Sequence, residues 1–128
     1  MDLSGIWKVK YVLSFNDNGA FLQDAEDALK EEGLSEDMKT DILTRYRFDD
    51  DGFIRSIVPI PESATKEDID EAVASGKIEL YGEGFYTQTS CPWKIENGKL
   101  MVPQDDEWVE LSIIDGMIDM IAWRLARE

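Results

Sequence analysis

Thirteen basic residues against 28 acidic ones leave this 128-residue chain with a formal charge of −15, which disfavours nucleic acid and anionic lipid as partners over most of its surface. The length suits one domain, residues 1–128, and a 43% hydrophobic, 32% charged composition is that of a globular chain. Without histidine and with a single cysteine, Cys91, the chain has no histidine triad, no haem held by histidine, no cysteine metal cluster and no internal disulfide, so neither metal nor cofactor is expected.

The first pattern is LSGIWKVKYVL, residues 3–13. Trp7, Val9, Tyr11 and Leu13 fall on one side of an extended chain, with Lys8, Lys10 and Val12 on the other. FNDNGA, residues 15–20, breaks that alternation. Phe21, Leu22, Ala25, Ala28 and Leu29 then recur at helical spacing, with Gly33 where a left-handed cap would end the helix. Ser35 can cap a second short helix carrying Met38, Ile42 and Leu43. From Tyr46 the period returns to two. Asp50, Asp51 and Gly52 form the bend of a hairpin that pairs Phe48 with Ile54 and Tyr46 with Ser56. The run Asp49 to Asp51 is a turn, since the alternating ligands and closing glutamate of a calcium loop are missing.

Pro59 and Pro61 stop the strand, and Thr65 with Asp68 has the form of a capping box opening a third helix, through Ile69 and Val73 to Gly76. Further strands follow, with a bend at residues 82–84. Asn97-Gly98 signals a hairpin pairing Ile95 with Leu100. Asp115-Gly116 signals another, pairing Ile113 with Ile118, Leu111 with Met120 and Val109 with Ala122. Eight or nine strands and few helices favour an antiparallel up-and-down β-barrel, because closure removes exposed edges. In that register Arg124 falls on the inner face with Ile118, Met120 and Ala122.

Three segments carry a family resemblance. Gly5-Ile6-Trp7 at the start of strand one is similar to the Gly-x-Trp signature of the calycins, the superfamily of lipocalins and fatty-acid-binding proteins. YRFDDDGFI and PWKIENGKLMV resemble hairpins of small bacterial lipocalin-like domains. The two helices after strand one resemble the helical lid of fatty-acid-binding proteins. The resemblance implies a mainly β, calycin-like barrel with two short helices after strand 1 and one inserted later. It also implies a basic residue of the last strand packed across Trp7, for which Arg124 is the candidate, making Gly5, Trp7 and Arg124 the structural signature. Arg124 could instead hold a ligand carboxylate. It is followed by Leu-Ala-Arg-Glu, so the tyrosine of the fatty-acid-binding clamp has no counterpart.

The expected function is non-catalytic binding of a small apolar or amphipathic ligand inside the barrel. Its candidate contacts are Tyr11, Tyr46, Ser56, Phe85, Thr87, Trp93, Leu111, Met120 and Arg124: apolar walls with a few polar tips, the usual form of a small-molecule site. Thr89 joins the inward hydroxyls. The alternatives are a protein-interaction module with a filled barrel, or a barrel enzyme of decarboxylase or isomerase type, for which no residue pair stands at a catalytic spacing. Cys91, with no histidine to activate it, reads as a small apolar residue. Ile114, Met117, Ile121 and Trp123 form an apolar outer stripe that a helix or a homodimer mate would cover. No stretch approaches the roughly 18 apolar residues of a membrane span, and the N-terminus lacks a basic-then-apolar leader, so a cytoplasmic protein is expected.

Overall fold

The computed structural model describes residues 3–120 and 122–128. In chain order its elements are β1 (Gly5–Asn16), β2 (Gly19–Asp24), α1 (Ala25–Leu29), α2 (Glu36–Leu43), β3 (Arg45–Phe48), β4 (Phe53–Pro59) and α3 (Lys66–Ala74). They continue with β5 (Glu79–Leu80), β6 (Phe85–Pro92), β7 (Lys94–Glu96), β8 (Lys99–Gln104), β9 (Glu107–Leu111), β10 (Ile113–Ile114), β11 (Met117–Asp119) and β12 (Trp123–Arg127). The protein is mainly β and its strand pairs are antiparallel.

The strands form two hydrogen-bonded sheets and not one closed ring. The larger runs β10-β11-β12-β1-β3-β4-β6-β5, with β2 on the outer half of β1; the smaller is β7-β8-β9. The chain passes from β6 to β7 through Trp93 and from β9 to β10 through Ser112. At the first of these points Pro92 has no N–H to carry a ladder onward.

Local turn chemistry accounts for most of the hairpins. Phe48 faces Ile54 and Tyr46 faces Ser56 across β3–β4, with Gly52 at φ +87° in the bend. Ile95 faces Leu100, and Ile113 faces Ile118. Thr65 and Asp68 exchange the two bonds of a capping box at the start of α3, and the Ser35 hydroxyl accepts from the Met38 N–H at the start of α2.

Three departures from the sequence reading matter for the site. First, the register against β12 slips between Val9 and Tyr11: Val9 faces Leu125 but Tyr11 faces Arg124. Lys10 is an extra, bulged residue. Beyond it the alternation inverts, so Val12 is buried and Tyr11 and Leu13 are not. Secondly, Phe21 and Leu22, expected to open a helix, lie in the strand β2, which pairs back on β1 with Leu13 opposite Leu22. Their helix-like spacing arises where a strand runs directly into the five-residue α1, whose Ala25 and Ala28 are buried. Thirdly, β11 and β12 are separate strands. The Met120 N–H donates to the Trp123 carbonyl, and the chain reverses there. Ile118 then faces Leu125, and Asp119 faces Arg124.

One continuous core results, containing Trp7, Val9, Val12, Phe48, Ile54, Leu100, Ile118 and Leu125. The helix α2 packs on β1 and β4 and buries Ile42. None of the three helices among the described residues is long and apolar enough to cross a membrane.

Candidate functional site

A half-open apolar cavity of about 260 Å³ lies between the two sheets. Tyr46, Phe48 and Ile54 wall it from the larger sheet, Val102, Val109 and Leu111 from the smaller, with Met120 and Leu125 beside them. The exposed Gln104, at the end of β8, stands at its rim.

Register explains why these side chains converge. Residues directly opposite in an antiparallel pair share a face. Gly5, Phe48, Ile54 and Cys91 are consecutive partners across β1, β3, β4 and β6; Trp7, Tyr46 and Ser56 form the next inward row. On the smaller sheet Leu100 faces Leu111 and Val102 faces Val109. Two tryptophans pack against Phe48 from behind the wall. Phe48 meets Trp7 edge-on at 6.3 Å and Trp93 at 5.3 Å. Trp7 Nε1 donates to the Leu3 carbonyl at 3.0 Å, and Trp93 Nε1 donates to the Asp49 carbonyl at 3.2 Å.

The lining is poor in chemistry. It holds no charged side chain, and Tyr46 supplies its only hydroxyl. Burial, reinforced by the nearby Asp41 carboxylate, raises the Tyr46 phenol above its ordinary pKa and keeps it neutral. Burial also pushes the Cys91 thiol up, which keeps it protonated and a poor nucleophile. Among the described residues no three of Cys, Asp and Glu gather as a metal-ligand group.

Of the contacts anticipated from sequence, Tyr46, Leu111 and Met120 come together on this cavity. The others do not. Tyr11 lies beyond the bulge, opposite Asp24 and Arg124. Ser56 is buried but turns its hydroxyl to that of Ser90. Phe85 lies under the Arg45 guanidinium, 4.9 Å from its ring centre. Thr87 is buried opposite Ile57 and donates to the Glu79 carbonyl at 3.4 Å, and Thr89 faces Arg55. Trp93 pins the β3–β4 turn instead of lining the space.

Arg124 requires the largest correction. The reversal after Met120 puts it on the face of Asp119 and Tyr11, opposite to that of Leu125 and Ile118, and its Nε is buried without a hydrogen-bond partner. The guanidinium over Trp7 belongs to Arg127, 4.7 Å from the ring centre. Nor is the apolar stripe continuous. Ile114 pairs with Met117, Trp123 faces Val12 and packs on the core, and Ile121 lies outside the described residues.

Sequence reasoning missed Val102 and Val109 as cavity walls. The hairpin joining them turns at Asp105-Asp106, both at positive φ, a pair that gives a much weaker turn signal than Asn-Gly or Asp-Gly. It also missed an ion network at the β3–β4 turn. Arg47 Nε donates to Asp49 at 2.8 Å, while Arg55 reaches Asp49 at 2.7 Å and Asp51 at 2.8 Å.

No family model, curated protein or solved structure matches this chain.

Proposed function

We propose that the protein is a calycin-like binding module that takes a small apolar ligand into the cavity between its sheets and does no chemistry on it. The observation that carries this reading is the cavity itself: apolar walls from both sheets, one neutral hydroxyl at Tyr46 and no charged group in the lining. Burying ligand surface there is worth about 25 cal/mol per Å² before the costs of association. At about 260 Å³ the space falls near the low end of small-molecule sites, about 300–1,000 Å³, which favours a compact ligand.

Two features support the calycin reading. If β6 and β7 are halves of one strand kinked at Trp93, and β9 and β10 halves of one kinked at Ser112, the order β1-β3-β4-β6/β7-β8-β9/β10-β11-β12 becomes an eight-strand meander returning to β1. The Gly5-Ile6-Trp7 start also has a basic residue of the last strand stacked on its tryptophan, with Arg127 in the role anticipated for Arg124. An enzyme would need a base or nucleophile in the cavity, and its lining offers only a protonated thiol and a neutral phenol. The test is saturable binding of a neutral apolar fluorescent probe, compared between the wild-type protein and Leu111→Trp.

A further inference from the structure

The chain holds two Asn-Gly pairs, Asn18-Gly19 and Asn97-Gly98, each at the bend of a hairpin. Such a pair is where a main-chain nitrogen most readily attacks a side-chain amide. Glycine has no Cβ to hinder its nitrogen, and asparagine is among the thermolabile residues. The fold sets the two pairs differently.

Gly19 is a strand residue, the closing partner of Asn16 across β1 and β2, a position that commits its N–H to the ladder. The Asn18 N–H is held as well, donating to the Asn16 side-chain oxygen at 2.8 Å. At the other hairpin the last ladder pair is Glu96 with Lys99, so Asn97 and Gly98 form the two-residue loop. Their φ values of +54° and +76° are those of a type I′ turn. The Gly98 N–H has no hydrogen-bond partner among the described residues. Both residues are exposed, and nothing lies within 4 Å of a Cβ placed on Gly98. The space for a ring to form on this nitrogen is open.

We propose that Asn97 is a self-modification site, at which the folded protein converts its own asparagine to a mixture of aspartate and isoaspartate. A base in solvent takes the proton of the Gly98 N–H, and that nitrogen attacks Cγ of Asn97. The N–Cγ bond forms, the Cγ–Nδ2 bond breaks, and Nδ2 leaves with a proton as ammonia. Water then opens the cyclic imide. Attack at Cγ restores the normal backbone with an aspartate side chain. Attack at the main-chain carbonyl leaves isoaspartate, whose backbone runs through Cβ and Cγ. Either product adds a negative charge beside Glu96, whose carboxylate meets Lys94 at 2.9 Å. Isoaspartate also lengthens the main chain by one methylene in a loop that closes with two residues. The hairpin it closes has three ladder pairs and carries Leu100, 1% exposed in the core, and Val102 on the cavity wall. The modification thus loosens the smaller sheet at β7–β8.

The experiment incubates the full chain at mildly alkaline pH, folded and in denaturing urea, with tryptic mapping and isoaspartate detection over time. Cleavage after Lys94 and Lys99 isolates Asn97 in residues 95–99, and cleavage after Lys10 and Lys30 isolates Asn18 in residues 11–30. In the folded protein Asn97 should convert about tenfold faster than Asn18, the rate equivalent of the ladder bond that Gly19 must break. In urea the two rates should converge. The folded wild type should lose thermal stability as Asn97 converts, while Asn97→Gly, which keeps a favoured type I′ pair, should hold its midpoint over the same incubation. The proposal is overturned if Asn18 converts as fast as Asn97 in the folded protein, or if Asn97 converts in urea but not in the folded chain. It is also overturned if Asn97→Gly, with native circular dichroism, loses stability on incubation as the wild type does.

Discussion

Arg127 covers Trp7. Its guanidinium lies 4.7 Å from the ring centre, and its Nη1 donates to the Ser4 carbonyl at 2.7 Å, so the last strand is tied to both the first strand and the segment before it. The two residues are register partners across β1 and β12. The indole N–H is satisfied by Leu3, which lets the ring be buried at 2% exposure without an orphaned donor.

Trp7→Ala should therefore destabilise the protein by about 3–5 kcal/mol, the range for removing a buried large aromatic. Arg127→Met should cost about 1 kcal/mol, since an exposed cation over a ring contributes at the low end of that interaction. Chemical denaturation of both variants checks the ranking. A Trp7→Ala loss below that of Arg127→Met would place the energy in the cation and not in the burial.

Asp49 reconciles a repulsive pair. Arg47 and Arg55 face each other directly across β3 and β4, which would be unfavourable alone, and Asp49 accepts a hydrogen bond from each. Asp49→Asn should cost about 1–2 kcal/mol, as expected for partly exposed charge-assisted bonds. The additional change Arg55→Gln, which removes the repulsion, should restore part of the loss. Additive effects of the two substitutions in a double-mutant cycle would contradict the bridging role.

The same turn has an acid signature. The hydrogen bond from Arg55 holds the Asp51 carboxyl below its ordinary value. A depressed folded pKa stabilises the protein at pH values above the unfolded one, about 3.9, and that contribution is lost as pH falls through the folded value. Asp51→Asn should therefore flatten the dependence of stability on pH below about 4. An unchanged acid limb in the variant would remove Asp51 from the account.

Tyr46 should titrate above its ordinary value of 10.0, because burial disfavours the phenolate and Asp41 repels it. For a raised pKa the stabilisation is complete below the unfolded value and is lost as pH rises through the folded one. Ultraviolet titration should show a late phenolate step that Tyr46→Phe removes and that denaturant moves down to about 10. A Tyr46→Phe curve identical to the wild type would place this phenol in solvent.

Where order came from neighbouring residues, it was readable in advance. The bends at Asp50–Gly52, Asn97-Gly98 and Asp115-Gly116, and the Thr65–Asp68 and Ser35 caps, rest on contacts within a few positions, and their registers follow from the turn chemistry. The errors came from features without a local residue signature. Nothing about Lys10 marks a bulge, and the reversal between Met120 and Trp123 has neither glycine, proline nor asparagine to announce it. Each moves the residues that follow it in its strand to the opposite face, so Tyr11 and Arg124 were misplaced while Tyr46, whose register is set by its own β3–β4 turn, was not. Leu111 and Met120 were expected to pair with each other. Leu111 pairs instead with Leu100, Met120 lies just past the end of β11, and both border the same cavity.

The central claim is that the space between the sheets is a ligand site, and a titration with a neutral apolar fluorescent probe tests it most directly. Wild-type protein should bind one probe saturably with micromolar affinity, which burial of probe surface at about 25 cal/mol per Å² allows without polar recognition. Leu111→Trp, on the cavity wall, should abolish that binding while its circular dichroism stays native. A wild-type protein that binds no probe, or a folded Leu111→Trp variant that binds it equally well, would contradict the account.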